Sequence, residues 1–105
     1  MKIEIISEKV TRRLSSSDKV RMIIERVKGK SILVLEERLR PEEQAELIKE
    51  TMLEIDFRDF NGIEVVTLNG EKKGGKITVV APSDIVEVTR EGDMISLMYV
   101  AGCIK

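Results

Sequence analysis

The residues best suited to chemistry form a glycine- and lysine-rich run at positions 70–76, with the sequence GEKKGGK. Its letters match the GxxxxGK pattern of a phosphate-binding loop, in which backbone N–H groups and a lysine hold a nucleotide. That loop also needs a preceding strand, a following helix and a Ser or Thr directly after the lysine. Here Ile77 follows and begins a β-branched run. The sequence therefore favours a hairpin loop over a nucleotide site.

Other catalytic arrangements lack the residue types that they require. The chain contains no histidine and one cysteine, Cys103. Activation of a serine or cysteine by histidine is therefore excluded within one chain, and a zinc site would have far too few ligands. Nothing close to Cys103 in sequence lowers its pKa, which favours a small buried side chain. We predict a protein that is not an enzyme and that has no cofactor or metal site.

Charged residues offer two candidate interaction surfaces. An acidic ridge repeats every four residues from position 42 to position 54, and it is either a docking face for a basic partner or a solvated helix surface, which is the more frequent role. A basic set either binds phosphate groups of RNA, DNA or lipid independently of nucleotide sequence, or only keeps the protein surface soluble. The acidic ridge consists of Glu42, Glu46, Glu50 and Glu54, and the basic set of Arg12, Arg13, Lys72, Lys73 and Lys76.

Length and composition predict one domain over residues 1–105, with 42% hydrophobic and 35% charged residues. The formal net charge of -1 conceals a polarity, because residues 1–30 carry nine Lys/Arg and four Asp/Glu, whereas residues 36–59 carry four Lys/Arg and nine Asp/Glu.

A single cysteine excludes an intramolecular disulfide. No signal-peptide core and no transmembrane segment is evident, so we expect a cytoplasmic protein.

The first half of the chain alternates predicted strands and helices. Residues 2–7 predict a strand, and a helix capped by Ser16 or Ser17 should end at Gly29 in a left-handed conformation. The apolar run 32–35 predicts a central strand that is covered on both faces. Pro41 suits the first turn of a second helix. The buried stripe expected for that helix is Ala45, Ile48, Met52 and Ile55.

The second half predicts mainly strands. Residues 63–68 and 77–81 should form an antiparallel hairpin around the loop at 69–76. Residues 84–88 are predicted to form either a short helix or a strand. Met94 to Val100 should form a last, buried strand. In the alternative, Met94, Met98 and Tyr99 are exposed as an association surface. The predicted fold is an α/β or α+β sandwich, with a mixed β-sheet packed by two main helices in the order β-α-β-α-β-β-(short helix or strand)-β.

Several segments resemble the archaeal OapB/ArvB family of small proteins. They are VRMIIERVKGKSILVLEERLRPEEQAELIKETMLEID, FNGIEVVTL and ITVVAPSDIVEVTREGDMISLM, with an ILVLE strand, an L-x-P-E-E helix start and an APSD turn. The resemblance covers about residues 7–97 and carries over no catalytic or ligand residue. It implies genes that lie beside an Era-like small GTPase and a zinc-ribbon protein, often close to a replication origin, and a GTPase system tied to membrane remodelling. The implied role is an accessory or regulatory module of the GTPase.

Two functions follow as hypotheses. In the first, the chain binds a protein partner, an Era-like GTPase, and prefers one of its nucleotide states. In the second, Arg12, Arg13 and the hairpin lysines bind nucleic acid or another anionic surface. Edge strands near the two termini also make a homodimer an alternative to a monomer.

Overall fold

The computed structural model describes residues 1–56, 58–69 and 76–100. The tip of the hairpin loop, including Lys72 and Lys73, and the residues around Cys103 lie outside the described residues. In chain order the elements are β1 (Lys2–Ile6), α1 (Glu8–Thr11), α2 (Ser16–Lys28), β2 (Ser31–Leu35), α3 (Pro41–Glu54), β3 (Ile63–Asn69), β4 (Lys76–Pro82), β5 (Val86–Glu91) and β6 (Met94–Tyr99).

Four strands form a mixed sheet in the order β1-β2-β4-β3. β1 and β2 are parallel, as expected for strands joined through a helix, and β4 pairs antiparallel with both β2 and β3. The predicted central strand is confirmed, because β2 lies between β1 and β4 and is almost wholly buried. The predicted hairpin is β3–β4. The α+β class predicted from the sequence is therefore confirmed.

The sheet separates two apolar clusters. On one face α2 and α3 cover a cluster that includes Ile23, Leu33, Leu47 and Phe60. On the other face β5 and β6 form a separate two-stranded sheet, and Val86 and Val88 pack there against residues of β2 and β4. Residues 86–91 are thus a strand, which decides between the two alternatives for this segment.

The prediction of a buried last strand is wrong. Met94, Met98 and Tyr99 are 54%, 57% and 62% exposed, and Leu97 on the same strand is 40% exposed. The physical reason is that β5 is the strand of the hairpin that packs over β3 and β4. β6 pairs with β5 and lies further from the main sheet. Ile95 is the residue of β6 that packs against the second cluster. The apolar residues of β6 therefore form a surface.

The buried stripe predicted for α3 is also wrong. Ile48 and Met52 are exposed, and so is Ala45, whereas the buried residues of α3 are Glu43, Leu47 and Thr51. The two stripes differ by one residue, which is a rotation of about 100° around the helix. A stripe with a Glu and a Thr is less hydrophobic than its neighbour, and hydrophobic periodicity alone therefore selects the wrong face.

α2 ends at Gly29 as predicted, but its N-cap residue and the conformation of Gly29 differ from the prediction. Ser15, and neither Ser16 nor Ser17, is the N-cap, since its Oγ accepts a hydrogen bond from the backbone N–H of Asp18 at 3.1 Å. At the other end Gly29 has φ −79°, and the left-handed residue is Lys30 with φ 71°. The expectation of a left-handed Gly29 is therefore wrong.

Replacing Gly29 with Ala should stabilise the fold by about 0.4–1 kcal/mol, since Ala lowers the entropy of the unfolded chain. An added Cβ would meet Arg26 O at 3.4 Å and Glu25 O at 3.5 Å, which are ordinary contacts. Urea unfolding measures the change. Gly92→Ala is the matched control, because Gly92 has φ 58° and should lose about 1 kcal/mol. A similar loss at Gly29 would contradict its φ of −79°.

Candidate functional site

The most enclosed charged groups of the described chain form a network around Lys19. Its Nζ lies 2.9 Å from Glu43 Oε2 and 3.1 Å from Glu37 Oε1. The side chains of Lys19 and Glu43 are 8% and 2% exposed. α2 supplies Lys19, α3 supplies Glu43, and Glu37 follows β2, so the network joins three elements at one end of the sheet.

Hydrogen bonds surround the Glu43 carboxylate on both oxygens. Oε1 accepts from the backbone N–H of Arg40 at 3.0 Å, and Oε2 accepts from Ser16 Oγ at 3.1 Å. Arg40 in turn donates from Nη2 to Ser16 Oγ at 2.6 Å. Glu43 therefore closes the first turn of α3 as the third residue of a capping box, and it also holds α2 in place.

The pKa values of Glu43 and Lys19 are both shifted away from neutral pH. Burial alone would raise the pKa of Glu43, but hydrogen bonds from Arg40, Lys19 and Ser16 outweigh burial and lower its pKa to about 2. Burial would likewise lower the pKa of Lys19, yet hydrogen bonds to Glu43 and Glu37 raise it. A general acid or base works best with a pKa close to the operating pH. This arrangement is thus suited to holding elements together, and sequence reasoning missed it.

The acidic ridge faces α2. Glu46, Glu50 and Glu54 line a groove of about 210 Å³ between α2 and α3, opposite Arg21 and Lys28. Glu54 Oε1 lies 2.6 Å from Lys28 Nζ, and this hydrogen bond raises the pKa of Lys28. The groove is smaller than the usual 300–1,000 Å³ of a cofactor site. The ridge therefore complements the basic residues of the chain's own helix.

Glu42, the first residue of the predicted ridge, is exposed at the start of α3 and does not line this groove. A step of four residues rotates a side chain by about 40° around an α-helix, so Glu42 lies to one side of the groove that the later glutamates line. Glu42 can therefore be replaced without disturbing the groove or the buried network.

The described members of the basic set share one end of the sheet. β1 and β2 end there together, since Ile6 pairs with Leu35, and β4 begins there, since Leu35 pairs with Thr78. Arg12 and Arg13 follow β1 through α1, and Lys76 opens β4. All three are exposed, although Arg12 Nη2 lies 3.0 Å from Glu8 Oε1. The fold thus places basic residues that are more than 60 positions apart in sequence at the same end of the sheet.

Exposed apolar side chains form three further surfaces. The β1 edge carries Met1, Ile3 and Ile5, and the α3 apolar face carries Ile48, Met52 and Leu53. The β6 apolar strip carries Met94, Leu97, Met98 and Tyr99. Large apolar groups clustered at the surface mark interaction sites more often than chance. Three of these β6 residues, Met94, Met98 and Tyr99, were predicted from the sequence as an association surface, but only as the alternative to core packing.

Comparison with known proteins assigns the family. The sequence model of the family described as "Origin-associated protein OapB" matches residues 11–100. The chain belongs to the OapB family. No curated protein and no solved structure matches it. The OapB match spans every element from the end of α1 to β6, so it includes the buried network and two of the three apolar surfaces.

Within residues 1–56, 58–69 and 76–100, no three carboxylate or cysteine side chains are grouped as ligands for a metal ion. None of the helices in these ranges is long and apolar enough to cross a bilayer.

Proposed function

We propose that this OapB-family chain is a non-enzymatic accessory protein that binds another protein through the β6 apolar strip. The partner is an Era-like small GTPase, as the family resemblance implies. The observation that carries the proposal is the exposure of four large apolar side chains within the six residues of β6. Met and Tyr are enriched in the centres of protein interfaces.

The strip is accessible from two sides. Leu97 and Tyr99 pair with Val88 and Val86, so they lie on the hairpin face that is turned towards the sheet. Met98 pairs with Glu87 and therefore lies on the outer face. In the described chain β6 pairs with β5 alone, which leaves its other backbone edge open. A partner could thus contact both faces or add a strand.

The electrostatics of the fold support a binding role over a catalytic one. The enclosed groups are a lysine with a raised pKa and a glutamate with a pKa of about 2, and the sequence has no histidine. Neither group exchanges a proton readily at neutral pH. A binding module would act on a GTPase by its difference in affinity for the two nucleotide states, which shifts the population of the preferred state.

The test is a titration of the chain against the Era-like GTPase loaded with GDP or with a non-hydrolysable GTP analogue, at two salt concentrations. We expect an affinity that depends on the nucleotide and changes little with salt. Met98→Glu should weaken it at least tenfold, because it replaces an apolar contact on the outer face of the strip with a charge. Met52→Glu on the α3 apolar face is the control, with a comparably exposed methionine, and should change affinity less than threefold.

Two outcomes would contradict the proposal. Absence of binding in both nucleotide states would exclude the GTPase as partner. An effect of Met52→Glu without an effect of Met98→Glu would move the contact from β6 to α3.

A second candidate is binding to nucleic acid or another anionic surface through Arg12, Arg13, Lys72, Lys73 and Lys76. The observation in its favour is the shared sheet end of Arg12, Arg13 and Lys76, and the family description links its members to an origin. A duplex DNA titrated in the same experiment separates the two functions. Weak binding that falls steeply between the two salt concentrations would support the second candidate.

A further inference from the structure

β1 presents an open backbone edge to the solvent. In the described chain it pairs with β2 alone. The N–H of Lys2 donates to Lys30 O at 3.3 Å, and Ile6 O accepts from the N–H of Glu36 at 3.1 Å. Lys2 and Ile6 therefore direct their backbone groups to β2. Since this direction alternates along a strand, Ile3 and Ile5 direct their N–H and C=O groups outwards.

The side chains of the same two residues are apolar and exposed. Ile3 and Ile5 are 61% and 69% exposed, although they pair with Ile32 and Val34, which belong to the second apolar cluster. The β5–β6 hairpin packs over β3 and β4, at the opposite side of the sheet. An exposed edge strand with an uncovered apolar face can pair with another strand.

The occupant of this edge is indicated by charge. Along β1 the other sheet face carries Lys2 and Glu4, and Glu4 Oε2 lies 2.6 Å from Arg26 Nη1. A two-fold dimer requires a self-complementary surface. An antiparallel pair centred on Ile3 places Lys2 of each copy opposite Glu4 of the other. A pair centred on Glu4 would place two carboxylates opposite each other, and one centred on Ile5 would leave Glu4 opposite Ile6.

We propose that two copies of this chain form a symmetric dimer through antiparallel β1 strands, with Ile3 on the two-fold axis. Ile3 then exchanges both backbone hydrogen bonds with Ile3 of the second copy, as its outward N–H and C=O allow. Ile5 lies opposite Met1 of the second copy. The two four-stranded sheets become one sheet of eight strands, and the exposed apolar residues of both edges lie side by side on one sheet face.

The first test is the mass of the full chain in solution, measured by sedimentation equilibrium over a range of concentrations. We expect a monomer–dimer equilibrium. Lys2→Glu should raise the dimer dissociation constant about 10- to 30-fold, because two opposite-charge pairs become like-charge pairs. Lys9→Glu is the matched control, since it makes the same charge change at an exposed residue of α1 and should leave the constant unchanged.

The second test determines the register by disulfide formation in a Cys103→Ser background, which removes the native cysteine. Directly paired residues that exchange hydrogen bonds have Cα atoms about 5.5 Å apart, within the range that a disulfide bridges. Ile3→Cys should therefore give a covalent dimer under mild oxidation. The two copies of position 5 would be separated by four residues along the strand, about 14 Å, and Ile5→Cys should not cross-link.

Both exchanged isoleucines are exposed, so the variants should fold, and far-UV circular dichroism verifies this. A monomer at every concentration would overturn the proposal. A dimer that Lys2→Glu leaves unchanged would also overturn it, as would cross-linking through position 5 and not through position 3.

Discussion

Replacing Glu43 with Gln is expected to lower the free energy of unfolding by about 3 kcal/mol. The exchange keeps the size of the side chain but leaves the buried Lys19 ammonium with Glu37 as its remaining acidic partner. Breaking a buried ion pair typically costs about 3–5 kcal/mol, and the second carboxylate places this variant at the lower end. Urea unfolding at pH 7, followed by circular dichroism, measures the loss.

Glu42→Gln is the control for this variant. Glu42 is the preceding residue and is exposed, so the same chemical change there should alter stability by less than about 0.5 kcal/mol. Lys19→Met combined with Glu43→Gln should cost at least 1 kcal/mol less than the sum of the two single exchanges, because the residues share one network. A loss below 1 kcal/mol for Glu43→Gln would mean that the network is no stronger than an ion pair at the surface.

The same network explains why the orientation of α3 was not predictable from apolar periodicity. Glu43 faces inwards because its carboxylate forms an ion pair with Lys19 there. It also accepts hydrogen bonds from Ser16 and from the backbone N–H of Arg40. That choice buries Leu47 and brings Ile48 and Met52 to the surface. A sequence signal did exist, since Glu43 is the third residue of the helix, the position of the glutamate in a capping box. It was concealed by the other glutamates of the helix.

The strands of the main sheet were predictable because their residues leave few alternatives. β2 is a short apolar run whose side chains are buried only if both faces of the strand are covered. The helices cover one face and the β5–β6 hairpin covers the other. β6 has nearly the same composition as a core strand, yet no second layer covers it. Composition identifies a strand, whereas burial depends on the position of the strand among the others.

The candidate interaction residues show a similar division. The sequence identified Arg12, Arg13 and Lys76 as basic and exposed, but their common location depends on the pairing of β1, β2 and β4. The acidic ridge was correct as a helical pattern, yet α2 contributes Arg21 and Lys28 to its other side. Contacts between distant segments are a property of topology, which local spacing does not encode.

Acid should destabilise the wild-type chain more than the Glu43→Gln variant. The pKa of Glu43 is lowered from its ordinary value of 4.5 to about 2 in the folded chain. A carboxyl with a lowered folded pKa contributes its stability above the unfolded pKa and loses it as the pH falls through the folded pKa. At 1.36 kcal/mol per pKa unit this difference corresponds to roughly 3 kcal/mol, lost between about pH 5 and pH 2.

The measurement is the free energy of unfolding of both proteins between pH 7 and pH 2. Other carboxyl groups titrate in both proteins, so the gap between the two curves isolates Glu43. It should be about 3 kcal/mol at neutral pH and close to zero at pH 2, where wild-type Glu43 becomes protonated. Lys19 has a raised pKa, so it stays protonated from pH 7 to pH 2 and adds no titration of its own to this window. A gap that stays constant from pH 7 to pH 2 would show that Glu43 acts by shape and hydrogen bonding rather than by its charge.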